Sequence, residues 1–195
     1  MEEKRDIFAE LAAPFTAKDG NPSHKWKPQT VNNNFAMCVP YIDARQVTSR
    51  LNEVLGVDGW GNTLAETSGS GMICELTIYL ADKEISKSDI GVPSEYAKEK
   101  GSASDALKRA AVHFGVGAYI YAMEPVKLKS GVLNNKKYAC TDDGEILETA
   151  DALTSYINLM HPLRAKWIEI YNSISPDNQT RLEAQFTQIW NAISK

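Results

Sequence analysis

Apolar positions recur every three or four residues in some stretches of this chain and every second residue in others. The switches between the two periods predict most of its elements. Residues 3–12 read as a short helix with Ile7, Phe8 and Leu11 on one face. Asp43 is placed to cap a second helix running to about Leu55, with Val47, Leu51, Val54 and Leu55 at helical spacing and Gly56 as the stop. Three strands follow over Trp60–Thr67, Met72–Leu80 and Glu84–Val92. In the middle one Glu75, Thr77 and Tyr79 alternate with Leu76, Ile78 and Leu80, the period of a half-buried strand. Turn residues at Ser68–Gly71 and Asp82–Lys83 join the strands into an antiparallel meander.

A long helix is predicted over Ser102–Tyr121. With Leu107 as origin, Ala103, Ala110, Ala111, Phe114 and Ala118 fall within about 40° of it on a helical wheel. That small apolar stripe lets the helix lie close against the sheet. Asp105, Lys108, Arg109, Val112 and Val116 take the far side. Two valines on that side call for cover, from a neighbouring subunit or from a second layer of the same chain. The polar stretch DGNPSHKWKPQTVNNN is expected to hold no regular structure, because of Pro22, Pro28 and the asparagine run. A short hairpin is expected over Val126–Cys140. Beyond it Glu148–Asn172 reads as a helix broken at Pro162, and Ser175–Pro176 opens a last one. The fold class is therefore α+β: an antiparallel three-stranded β-meander packed on a long helix, with a helical C-terminal extension. The domain boundary falls near Thr141–Glu145, giving a core at 1–145 and an extension at 146–195.

Composition narrows the classes. The 195 residues are 43% hydrophobic and 24% charged, ordinary globular usage. No apolar run reaches the ~18 residues of a membrane span, so no membrane partner is expected. The acidic start MEEKRDIFAELAAPF lacks the pattern of a signal peptide, which points to the cytoplasm. Cys38, Cys74 and Cys140 are scattered and expected to be free thiols. The net charge of −4 argues against nucleic acid at first. Its distribution reverses the argument, because residues 126–140, VKLKSGVLNNKKYAC, hold four lysines and no acid between acidic neighbours. A phosphate backbone responds to the local field.

The candidate chemistry is that of binding. Lys108 and Arg109 are either a phosphate-binding pair or a solvated helix face, with Asp105 three residues upstream able to pair with Lys108. Lys25, Trp26 and Lys27 interleave cations with an aromatic ring, the composition that stacks a base while screening its phosphate. The alternative there is a tryptophan tucked under a flexible arm. Lys127, Lys129, Lys136 and Lys137 form a basic ribbon along the hairpin, or protect its edge. His113 sits next to the core stripe and reads as structural. Asp142, Asp143 and Glu145 lack the spacing of a calcium loop and read as a turn. No P-loop, G-x-G-x-x-G or H-E-x-x-H occurs, so no cofactor, metal or catalytic residue is expected.

At YIDARQVTSRLNEVLGVDGW and DIGVPSEY…GSASDALKRAAVHFGVGAYIY the chain resembles the Rad-fifty-two-type single-strand annealing proteins, most closely their phage relatives of the Sak group. The resemblance covers roughly residues 12–125. It implies an antiparallel sheet packed on a helix, assembly into rings or open helical arrays, and single-stranded DNA held in a groove without nucleotide hydrolysis. Lys108 and Arg109 match the family's paired backbone-binding cations. Val92 and Pro93 fall in the segment that lines the groove. Val112 stands where the family often has a further arginine. The basic residue of the first helix appears as Arg45, one position early, with Gln46 at the matched place. The tail after about residue 145 does not resemble the eukaryotic mediator's partner-binding half.

The resulting expectation is a single-stranded DNA binding and annealing protein of recombination and repair. It would be phage-encoded and act as a homo-oligomer in the cytoplasm of the bacterial host, not as an enzyme, with a host or phage single-strand-binding protein as a candidate partner. Two rivals come from other classes. One is a metal-dependent nuclease using Asp89, Asp105, Asp142 and Asp143. The other is an adaptor whose helical tail docks a replication protein.

Overall fold

A computed structural model of the chain describes residues 5–17, 22–68, 71–92 and 98–160. The expected helices beyond Met160, with Pro162 and Pro176, lie outside these residues, as does Pro93. Helix α1 (Ile7–Ala12) is capped by Asp6, which accepts the Ala9 amide at 3.1 Å. Strands β1 (Lys25–Val31) and β2 (Ala36–Tyr41) follow as an antiparallel hairpin. The Asn32 side chain shapes its turn by accepting the Asn34 and Phe35 amides at 2.8 and 2.9 Å.

The expectation of an irregular 19–34 stretch is thus corrected, and the reason lies in where a proline is tolerated. Pro28 sits in an edge strand, at a register shift between Pro28 and Thr30, so its missing N–H interrupts little of the ladder.

Helix α2 (Ala44–Leu55) starts as its sequence requires. Asp43 accepts the Gln46 amide at 2.9 Å, and the Gln46 side chain accepts the Asp43 amide at 3.1 Å. Gly56, at φ 81°, ends it. Arg50 reaches back from this helix to the Glu10 and Ala13 carbonyls at 3.0 and 2.6 Å, and its guanidinium lies 4.5 Å from the Phe15 ring centre. Arg50 thereby caps the end of α1, adding to the Ala13 amide that Glu10 O already accepts.

Strands β3 (Trp60–Glu66), β4 (Met72–Tyr79) and β5 (Glu84–Gly91) form a separate antiparallel sheet in sequence order. Cys74, Leu76 and Ile78 of β4 face inward and are buried. Helix α3 (Lys98–Val112) lies across β4 and β5 with Ser102, Ala106 and Ala110 fully buried beneath it. The buried stripe runs through Ala106, one position from the expected centre at Leu107. At Gly91 a Cβ would run into the Ser102 carbonyl oxygen and the Ala106 nitrogen. Leu11, Val47, Leu51, Leu76 and Ile78 complete this first core, each fully buried and each stabilising by about 1.5–3 kcal/mol of apolar transfer.

The long helix stops earlier than its pattern predicts. The Val116 amide donates to Ala111 O at 3.2 Å and the Gly115 amide to Val112 O at 2.9 Å, with Gly115 at φ 92°. These are the two bonds of a Schellman turn. Gly117, at φ 70°, carries the chain into a 3-10 turn over Ala118–Ala122. Val116 therefore points into the first core and is fully buried. It is not on an outer helix face, and the need for a subunit to cover it disappears.

Strands β6 (Val126–Leu133) and β7 (Lys136–Cys140) form the expected hairpin, turned by Asn134 and Asn135 at φ 49° and 61°. β6 also pairs with β2, which makes a four-stranded sheet ordered β1-β2-β6-β7. Helix α4 (Ala150–Ser155) and the helical turn Tyr156–Met160 lie on this sheet. Leu147, Leu153, Tyr156 and Ile157 join Trp26, Cys38, Leu128 and Ala139 in a second core. The first part of the 146–195 extension is therefore built into the same sheet as residues before 145. The three cysteines are free and buried, and burial pushes the Cys38 thiol up to about 11.

The approach of α3 to β5 yields a direct test. Gly91→Ala is expected to cost about 1–3 kcal/mol, the usual penalty for overpacking, read as a lowered thermal midpoint by circular dichroism. An unchanged midpoint would mean that α3 does not rest on Gly91.

Candidate nucleic-acid interface

Between the β1–β2 hairpin and α3 runs a groove of about 650 Å³. One wall is Lys27, Pro28 and Gln29 of β1 with Val39 and Tyr41 of β2. The other is Asp105, Lys108, Arg109 and Val112 of α3, with Ile120 and Tyr121 of the 3-10 turn closing it. A second depression of about 370 Å³ shares Lys27, Tyr41 and Lys108 and extends to Arg45 at the start of α2. A third of about 200 Å³ shares Arg109, Val112 and Tyr121 and extends to Asp89 and His113. Each of the two smaller depressions shares lining residues with the main groove. Lys27, Lys108 and Arg109 thus line the groove and Arg45 the depression beside it, although they come from α2, β1 and α3.

Each cation's local setting differs. Lys108 Nζ lies 3.5 Å from Asp105 Oδ1 within α3, the pairing its spacing predicts. Arg109 Nε donates to Asp89 Oδ1 at 3.2 Å, and His113 Nε2 lies 3.2 Å from Asp89 Oδ2. Partial burial pushes the Asp89 carboxyl up, but the Ile90 amide and the Arg109 guanidinium outweigh it and hold it below the usual carboxylate range. The bond to Asp89 raises Arg109 in turn. Lys27 stands 5.5 Å from the Tyr41 ring centre. Among the described residues neither Lys27 nor Arg45 has an ion pair. Exposed pairs of this kind stabilise by about 0–1 kcal/mol. An anion entering the groove would displace Asp105 or Asp89 at little cost.

The remaining candidates lie elsewhere. Lys25 pairs with Asp43 at 3.1 Å, a bond that raises the lysine's affinity for its proton. Val92 is 68% exposed just past β5. Lys127 covers the Phe35 ring at 4.7 Å, and Lys129 donates to the Asp142 carbonyl. The β6–β7 register puts Lys127, Lys129 and Lys136 on one face and Lys137, opposite Val132, on the other. None of these four lines the groove.

Trp26 is a clear correction. It is 3% exposed, with its amide bonded to Thr154 Oγ1 at 3.0 Å and its Nε1 to Asn158 Oδ1 at 2.7 Å. In a strand with one buried face, the ring between two exposed lysines is the inward residue, so it is withheld from any base. His113, read as structural, has a side chain 48% exposed and pairs with Asp89 at 3.2 Å.

The aromatic residues of the groove, Tyr41 and Tyr121, escape a reading by local motif. Tyr121 is aimed by the glycine turns after α3, whose conformation the helical period conceals. Asp89 stands opposite buried Cys74 in the β4–β5 register and hence on the helix-facing side. The carboxylates of the nuclease reading do not meet. Asp89 is held by Arg109 and His113, Asp105 by Lys108, and Asp142 by the Tyr156 hydroxyl at 3.0 Å in the other sheet's core. Among the described residues no group of three or more His, Cys, Asp or Glu is placed to hold a metal ion.

This geometry is found in a chain whose sequence matches, over residues 7–139, the Rad52/22 family of double-strand break repair proteins, and the chain belongs to that family. It is 35% identical over 122 residues to the single-stranded DNA-binding protein DdrA of Deinococcus radiodurans, a stretch covering 60% of this chain and 55% of that protein. It is 35% identical over 125 residues to the DdrA of Deinococcus deserti, covering 60% and 57%. The chain spans little more than half the length of these relatives.

His24, next to the groove strand, supports a prediction on stability. It is buried between Trp26 and Tyr119, ring centres 5.8 and 5.9 Å away, and among the described residues its Nε2 has no hydrogen-bond partner. Burial lowers its proton affinity below the ordinary value of 6.5. Below that pH the unfolded chain takes up a proton that the folded chain refuses. The contribution is complete above pH 6.5 and is lost as the pH falls through the folded value. Urea melts from pH 8 to 5 are expected to show the parent losing stability relative to His24→Gln as the pH drops. A constant difference between the two would place His24 in a solvated site.

Proposed function

We propose that the chain binds single-stranded DNA through its sugar–phosphate backbone and anneals complementary strands. It would serve recombination and repair as a homo-oligomer in the cytoplasm, without nucleotide hydrolysis or catalysis. The observation that carries the reading is that Lys27, Lys108 and Arg109 line one groove and Arg45 the depression beside it, from three separate elements. A net charge of −4 does not oppose it, because a phosphate backbone responds to the local field, and Lys27, Lys108 and Arg109 outnumber Asp105 in the groove lining. Membership of a double-strand break repair family and the names of the two relatives support it. On this reading the β3–β4–β5 meander with α3 is the family's annealing core, lying within residues 1–145. Among the described residues no helix is long and apolar enough to cross a membrane.

Mechanistically, Lys108 and Arg109 take phosphates from one side of the strand while Lys27 and Arg45 take them from the other. Neutralisation on both walls lets the strand extend, and bases left unpaired sample a complement. Arg109 contributes more than a point charge when its planar fork meets a phosphate in two places.

Lys108→Ala and Arg109→Ala are each expected to weaken binding to all sequences alike, since phosphates carry no base identity. Each is expected to reduce the salt slope of log K by roughly 0.7. Arg109→Lys is expected to restore little, and Asp89→Asn to strengthen binding by freeing Arg109. Fluorescence anisotropy across a salt series reads all four. A double Lys108→Ala, Arg109→Ala variant that keeps the parental slope would remove the pair from the site. A separate assay tests the mechanism: annealing of complementary oligonucleotides is expected to run in EDTA and without nucleotide, and its loss there would overturn annealing without catalysis.

A further inference from the structure

Tyr121 has no hydrogen bond or ring contact among the described residues, yet it stands where a bound strand would pass. It is 70% exposed, while Tyr119 two residues earlier is engaged with Phe15 and His24. It occupies the 3-10 turn Ala118–Ala122, whose direction is set by Gly115 and Gly117 at φ 92° and 70°. A side chain at Gly117 would collide with Ile42 Cδ1, so this turn is held close against the end of β2. Tyr121 also forms the shared wall of the main groove and of the 200 Å³ recess beyond it, together with Arg109 and Val112. An exposed ring, an apolar Val112 floor and a guanidinium therefore meet at one point.

We infer that Tyr121 stacks a nucleobase of the bound strand, the base belonging to a nucleotide whose phosphate Arg109 holds. This rests on the single-strand reading of the groove. Cationic walls alone would hold a sugar–phosphate chain without regard to its bases. An aromatic face beside the cation adds a contact that every base can make, since every base has a π-face. A recess of about 200 Å³ beside it leaves space for one ring system rather than for a run of stacked bases. One base per subunit would then be set aside from pairing while its neighbours stay available.

The test crosses the protein with the substrate. Parent, Tyr121→Ala and Tyr121→Phe are titrated by anisotropy with an oligo-dT and with an abasic oligonucleotide of equal length and charge. The parent is expected to prefer oligo-dT by about ten-fold, within the range for one stacked base. Tyr121→Ala is expected to lose about that factor for oligo-dT only, with its salt slope unchanged, because no phosphate contact is lost. Tyr121→Phe keeps the preference. The inference is overturned if the parent binds both oligonucleotides equally, a result that needs no variant. It is also overturned if Tyr121→Ala weakens both equally, which marks a structural role. If the parent binds neither, the single-strand reading itself falls and this inference falls with it.

Discussion

The place where β5 and α3 touch has no room for a side chain. Gly91 leaves its Cβ position to the Ser102 carbonyl and the Ala106 amide, and the helix settles on the strand through Ser102, Ala106 and Ala110. Because that face is made of small residues, α3 lies low on the meander, and its rotation about its own axis is set by which residues are small. The basic edge carrying Lys108 and Arg109 then has one direction left to face, toward β1 and β2. The groove is a consequence of this packing. A larger residue at any of these four positions would tilt the helix and move both cations at once.

The electrostatics of the groove are local. The chain is acidic overall, and two acidic groups sit within the site, Asp105 beside Lys108 and Asp89 beside Arg109. These pairs are partly exposed, so each stabilises the fold by well under what a buried pair would. Their effect is to keep two cations ordered while the groove is empty. On the proposed reading a phosphate replaces a carboxylate, and the exchange is nearly balanced at each site. The gain on binding then comes from Lys27 and Arg45, which have no ion pair among the described residues, and from released counterions.

The two cores are joined through the segment that follows the α1 loop. His24 lies between Trp26, which belongs to the second core, and Tyr119, which packs against the first. Gln46, inside the capping box of α2, also donates to Ser23 O at 2.9 Å. The strand that carries Lys27 to the groove is thereby anchored on both sides. Trp26 serves that anchorage, and the aromatic character of the groove is supplied by Tyr41 and Tyr121 instead.

The sequence by itself determined the elements whose causes are local. Asp43 with Gln46 starts α2 and Gly56 ends it, alternation at 72–80 makes β4, and Asn134–Asn135 turns the second hairpin. Each is decided by a few neighbouring residues with strong conformational preferences. Lys108 and Arg109 were legible for the same reason, as adjacent cations opposite a small-residue stripe. Tertiary structure alone decided that a proline-bearing polar stretch becomes an edge strand, since β1 is held by pairing with β2 and by α4 lying on it. It also decided that Val116 turns inward: Gly115 and Gly117 permit positive φ at no steric cost, and the first core selects the path that buries Val116. Finally, it brought Arg45, Lys27 and Tyr121 to the helix that carries Lys108. Residues so far apart along the chain meet only through packing, and no local period encodes which elements will pack.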